Sequence, residues 1–220
     1  VNKDSSMNTQ AISLTGNDMS GSGSAGVFID TEVSSWSSLD SQTITLNDND
    51  MSGSAKSGLK IKTSLSYVGS MNDQVITITG NDASDSGGVK VEAKAGRGSS
   101  LDNQSITLTD NDFSGSKETK VKIELSSFST MDSQTITLTG NDLSDGGTKI
   151  ETKVKSWSSL DNQAITLTDN NMSGSTKSGV SFKTEVSNNS TMDSQAITLA
   201  RNEINGSGSV GVMVDTEVSS

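Results

Sequence analysis

A single glutamine sets the period of this chain. Gln10, Gln42, Gln74, Gln104, Gln134, Gln163 and Gln195 recur at spacings of 32, 32, 30, 30, 29 and 32 residues. Two residues after each stands an isoleucine: Ile12, Ile44, Ile76, Ile106, Ile136, Ile165 and Ile197. Four after it comes Leu or Ile, and three before it Met or Leu. The resulting Gln-x-Ile-Thr-Leu-Thr alternation has the period of a half-buried strand. A second alternating run precedes each glutamine, as in Val27, Ile29, Thr31 and Val33, and ends nine residues before it. Length variation falls in one place, the loop after the Asn-Asp-x-Ser-Gly segment, as at 20–25 or 117–119. A fixed strand frame with one elastic loop is what stacked coils require, because neighbours must match along their strands while a loop can bulge. The expected fold is all-β: a single domain over 1–220 forming a parallel β-solenoid, or cross-β stack, of seven rungs with about 31 residues and two main strands per rung.

Composition agrees with a stack better than with a globule. Only 30% of the residues are hydrophobic and 3% aromatic, well below an ordinary compact domain. Pro is absent, and Pro cannot donate to a ladder that runs through every rung. There is no Cys and no His, which removes disulfides, thiolate sites and the commonest general base. The net charge of −11 argues against nucleic acid as a partner. No apolar run approaches the about 20 residues of a membrane span.

Three columns give the stack its chemistry. Asp30, Lys62, Glu92, Lys122, Glu151, Lys183 and Asp215 occupy one outward position and alternate in sign. For charged residues of random sign that has a chance on the order of one in 64. In register, neighbouring coils place such side chains about 4.8 Å apart, where opposite charges attract. The glutamines form a second column. Asn17, Asn49, Asn81, Asn111, Asn141, Asn170 and Asn202, seven residues further on, form a third. Stacked amides can hydrogen-bond along the axis, and the asparagines also suit a turn.

Val1 stands nine residues before Gln10 and shares the phase of Val33 and Val218. The first and last repeats therefore look alike, and uncapped strand edges are templates for another chain. The expected partner is the chain itself, joined head to tail into an open filament. Asp30 and Asp215 would then meet at the junction, like charge on like charge.

Other candidates are weaker. Asn-Asp segments such as Asp48-Asn49-Asp50 offer hard oxygens for Ca²⁺, but they lack calcium-loop glycine spacing and read first as turns. No cofactor is expected, with Ca²⁺ the one ion kept in view. Thr45, Thr77, Thr107, Thr137, Thr166 and Thr198 form an outward column beside Thr15, Thr79, Thr109, Thr139 and Thr168. Such double rows occur on ice-binding solenoids, although Thr also simply favours strands. Carboxylate pairs such as Asp30 and Glu32 build no pocket with a nucleophile, so no enzyme is expected. Trp36, Tyr67, Phe128 and Trp157 are expected to pack a corner.

Asn17-Asp18-Met19-Ser20-Gly21, Gly26-Val27-Phe28-Ile29 and Asp40-Ser41-Gln42 together resemble the repeats of Fap-type bacterial functional amyloids. The last copy keeps Asn205-Gly206 and Gly211-Val212-Met213-Val214. The chain departs from that family in its contiguous repeats, its lack of a carboxy-terminal Cys-x-x-Cys, and its richness in Thr and Asp. The resemblance implies a secreted, extracellular or cell-surface subunit that assembles into biofilm fibrils, one repeat per layer. The expected function is accordingly mechanical: a self-assembling extracellular filament subunit. The alternatives are the repeat stalk of a secreted adhesin and an ice- or calcium-binding solenoid.

Overall fold

The computed structural model describes residues 4–220; the phase of Val1 lies outside the described residues. The Gln-x-Ile-Thr-Leu runs become one set of strands: β1 (Ser6–Thr15), β3 (Ser38–Asn47), β5 (Ser70–Thr79), β7 (Ser100–Thr109), β9 (Thr130–Thr139), β11 (Ser159–Thr168) and β13 (Thr191–Ala200). The upstream runs become the other: β2 (Ala25–Ser34), β4 (Ser57–Ser66), β6 (Val89–Gly96), β8 (Thr119–Ser126), β10 (Thr148–Lys155), β12 (Val180–Ser187) and β14 (Val212–Ser219). No helix interrupts them in the described residues.

Odd strands pair only with odd strands and even with even, giving two seven-stranded parallel sheets. The molecule is a β-solenoid of seven coils, each made of one odd strand and the even strand that follows it. Register is set by identity, with Gln42 beside Gln10 and Gln74 and Ile136 beside Ile106 and Ile165. A slip of one residue would turn every core side chain outward, so burial of one face fixes the pairing.

Each odd strand breaks its alternation once. Leu39 and Gln42 are both buried, although three residues apart, because Asp40 and Ser41 both turn outward. Such a bulge bends the strand and lets its first part close the corner while its second part faces the opposite sheet.

The interior is divided in two. Ile44, Leu46, Val27 and Ile29, with their equivalents, form the larger cluster. Val33, Leu39 and theirs form a smaller one beside the corner. Between the clusters runs a polar seam of buried glutamines, faced by Thr31, Thr63, Thr152 and Thr184.

The corner joining each even strand to the next odd one uses two consecutive left-handed residues, for example Ser35 (φ 59°) and Trp36 (φ 62°), or Tyr67 (φ 52°) and Val68 (φ 62°). This geometry overturns the expected packing of the aromatics. Side chains on a left-handed corner point away from the core, and Trp36 is 70% exposed, with Tyr67, Phe128 and Trp157 also exposed.

Candidate functional site: axial ladders and open ends

The glutamine seam is a continuous amide ladder. Gln42 Nε2 donates to Gln10 Oε1 at 2.5 Å and Gln74 Nε2 to Gln42 Oε1 at 2.5 Å. The same bond repeats through Gln104, Gln134, Gln163 and Gln195. Where the facing residue is Thr, the second amide hydrogen reaches its hydroxyl, as from Gln42 to Thr31 and from Gln195 to Thr184. In the third and fourth coils that column carries Ala93 and Ile123, so Gln104 and Gln134 keep the axial bond alone. A buried amide without partners costs about 1–3 kcal/mol, which makes the ladder a condition for placing glutamine there at all.

The asparagine column is a second ladder of opposite sense. Asn49 Nδ2 donates to Asn81 Oδ1 at 2.9 Å, and the Asn49 backbone N–H donates to the same oxygen at 3.0 Å. Asn49 Nδ2 also reaches the Leu14 carbonyl two strands away in sequence. The pattern runs from Asn17 to Asn202. Each asparagine between the two ends thus ties its own coil to both neighbours.

Sequence reasoning missed three further columns. A serine stands five residues before six of the seven glutamines, with Gly69 the exception. Ser37, Ser99, Ser129 and Ser158 are buried at the corner, and the hydroxyl accepts from the preceding coil: Ser129 N–H to Ser158 Oγ at 3.1 Å and Gly69 N–H to Ser99 Oγ at 3.2 Å. Met51, Ala83, Phe113, Leu143 and Met172, the variable member of Asn-Asp-x-Ser-Gly, turn inward and complete the larger core. The third column is left-handed and alternates Gly16, Asp48, Gly80, Asp110, Gly140 and Asp169. A Cβ on Gly80 would lie 2.4 Å from Asp48 Oδ1, and one on Gly140 would lie 2.2 Å from Asp110 Oδ1. Glycine therefore makes room for the carboxylate of the coil before it and keeps two carboxylates from stacking. The constant offset from glutamine could have revealed the serines; the Gly/Asp alternation could have been read like the charge column.

The charge column pairs in two ways. At its ends, stacked neighbours meet directly, Lys62 with Asp30 at 3.1 Å and Lys183 with Asp215 at 3.5 Å. In the middle, contacts run diagonally to the adjacent strand, as Lys120 to Glu151, or between neighbours on one strand, as Lys149 and Lys153 to Glu151. Glu151 lies within 3.0 Å of Lys120, 3.4 Å of Lys149 and 3.3 Å of Lys153, while Lys122 turns to Glu124 on its own strand at 2.8 Å. Long side chains reach the flanking columns as easily as their own. Burial pushes the Glu151 carboxyl up, but the three ammonium groups outweigh it and hold it at about 2.

The threonine columns stand in register on the outer face of the odd-strand sheet. The aspartates of the Asn-Asp segments accept from their own turn, as Asp50 Oδ1 does from the Ser52 N–H and hydroxyl at 2.9 and 2.7 Å. Among the described residues no helix is long and apolar enough to cross a membrane.

Both ladders end with unused groups. Among the described residues Gln10 Nε2 and Asn17 Oδ1 have no partner at one end, nor Gln195 Oε1 at the other, and Asn202 lacks the axial acceptor that its counterparts find. The core columns end open as well: Val212, Val214 and Val218 face solvent, and Val218 is 76% exposed.

The chain matches none of the family models, curated proteins or solved structures with which it was compared.

Proposed function

We propose that this chain is the structural subunit of a self-assembling filament that grows by coil-on-coil stacking between copies. The observation that carries this reading is the polarity of the two ladders. Gln195 Oε1 can accept from Gln10 Nε2 of a second copy, and Asn202 Nδ2 can donate to its Asn17 Oδ1. One in-register junction therefore supplies all the missing amide partners. The same junction covers Val212, Val214 and Val218, and it brings Thr216, which stacks in the column of Thr184, beside the incoming Gln10 as Thr184 stands beside Gln195. Side chains here hold structure, and the role is mechanical, with neither catalysis nor a cofactor. The Fap-type resemblance supports an extracellular, biofilm-like setting for such a filament.

The junction has an electrostatic cost, since Asp215 meets Asp30. Filament growth is therefore expected to quicken as salt shortens the range of charge repulsion. The test is negative-stain microscopy and sedimentation of the purified chain over a range of concentration and salt. Unbranched filaments one solenoid wide support the reading, with growth blocked by Val214→Lys. Particles that stay monomeric at every concentration and salt level overturn it.

A further inference from the structure

The charges of the strands are segregated by sheet. Every strand lysine stands on an even strand, and none of the seven odd strands carries Lys or Arg. On the even sheet, the column beside the alternating one reads Phe28, Lys60, Lys90, Lys120, Lys149, Ser181 and Met213. Four ammonium groups follow one another there with no change of sign. Glu151 compensates Lys120 and Lys149. Lys60 and Lys90 have no carboxylate within ion-pair distance among the described residues, and with Lys56 they line an open cleft of about 340 Å³ beside the exposed Phe28 ring. Lys60 Nζ lies 5.6 Å from the centre of that ring.

The odd sheet carries the opposite sign. Its bulges turn Asp40, Asp102, Asp132, Asp161 and Asp193 outward, one per coil except in the first and third, where Asn8 and Asn72 stand. None of the five makes an ion pair among the described residues, although this protein forms them freely elsewhere. Burial, together with Asp132 and Asp73, pushes the Asp102 carboxyl up, as expected where carboxylates stack without a cation. Stacking like charges is unfavourable within one molecule, and the neighbouring column shows that the repeat can avoid it.

We propose that the outer face of the even-strand sheet docks on the outer face of the odd-strand sheet of a second copy, setting Lys60, Lys90, Lys120 and Lys149 against Asp102, Asp132, Asp161 and Asp193. Both columns repeat once per coil, about 4.8 Å, so a match at one pair is a match at all four. A parallel neighbour displaced by two coils aligns Lys60 of its second coil with Asp102 of the fourth, and so on to Lys149 with Asp193. Single exposed ion pairs contribute little; four on one rigid lattice act together, because the first fixes the other three. This side-by-side contact is independent of stacking at the ends.

The test uses two charge-reversed chains, Lys60→Glu/Lys90→Glu and Asp102→Lys/Asp132→Lys, whose unchanged circular dichroism shows that they fold. Each alone is expected to lose side-by-side pairing at least tenfold by sedimentation, and an equimolar mixture to recover it. Wild-type pairs are expected to dissociate at about 1 M salt, where screening acts within about 3 Å. Should the variants misfold, that salt dependence of the wild type decides alone. Pairing that survives either the reversal or high salt overturns the proposal. Filament length reports end stacking and filament width reports this contact. Long filaments that stay single overturn the lateral contact only, whereas paired particles that never elongate support it and overturn stacking. Wild-type chains that stay single yet bind a sulfated polysaccharide through Lys60 and Lys90 assign the lysine face to an external polyanion and also overturn it.

Discussion

A buried glutamine is tolerable here only because it is one of seven. Gln134 accepts an amide proton from Gln163 and gives one to Gln104, inside a seam that excludes water. Gln134→Ala orphans a donor on one neighbour and an acceptor on the other and leaves a void. The expected loss is about 2–4 kcal/mol, measured as a shift of the urea midpoint. A second left-handed column, in which Asp145 is followed one coil on by Gly174 and then Gly206, gives a sharper test, because its residues are coupled in pairs. Gly174 has φ +73°, and a Cβ there would sit 2.4 Å from Asp145 Oδ1. Gly174→Asp should cost about 1–3 kcal/mol, and adding Asp145→Gly should recover most of it, because Gly206 leaves the next position clear. A double-mutant cycle reads that coupling directly. Much at this scale was legible in advance. The Gln and Asn columns follow from spacing alone, since residues one period apart must share a face. The aromatic corner was not legible: Trp36 and Trp157 look like core residues by hydrophobicity, and only the left-handed backbone under them decides that they point outward.

At the scale of the strand, the sequence carries most of the fold because alternation and period agree. The odd strands declare themselves through Gln-x-Ile-Thr-Leu, and the even ones through their fixed distance to the next glutamine. The bulge was less visible. Met or Leu three residues before Gln breaks a period of two, and only the outward pair Asp40 and Ser41 reconciles them. The charge column was legible in its signs and incomplete in its partners, because lysine reaches diagonally as well as along the axis. The diagonal network makes a prediction about acid. The Glu151 carboxyl lies at about 2 in the folded chain against an ordinary 4.5, and Glu124 and Glu185 are also held low, chiefly by Lys122 and Lys155. Depressed carboxylates favour the folded state fully above their ordinary range and lose that contribution as protons bind. The urea midpoint should therefore fall as pH drops from about 4.5 towards 2, and Glu151→Gln should flatten that dependence.

At the scale of the whole molecule, stability is a sum over coils and the contacts between adjacent coils. The strands and ladders repeat without exception, and the loops before the even strands absorb every change of length. Two extra residues, Gly-Ser, inserted after Lys117 should therefore cost under about 1 kcal/mol, in line with the slow growth of loop entropy. The same insertion after Thr107 shifts the strand's inward residues along the register and should abolish the cooperative thermal transition. Circular dichroism melts of the two insertions make the comparison.

The opposed sense of the two amide ladders has an electrical consequence. In the glutamine ladder each N–H points towards the first coil, and in the asparagine ladder towards the last. A single column of aligned amides would add its dipoles as a helix does, building partial charge at its ends. Two columns of contrary sense offset one another, so each end of the stack offers one amide donor and one amide acceptor. The side-chain ladders thus leave no positive or negative pole, and the axial field they contribute stays small however many coils are added.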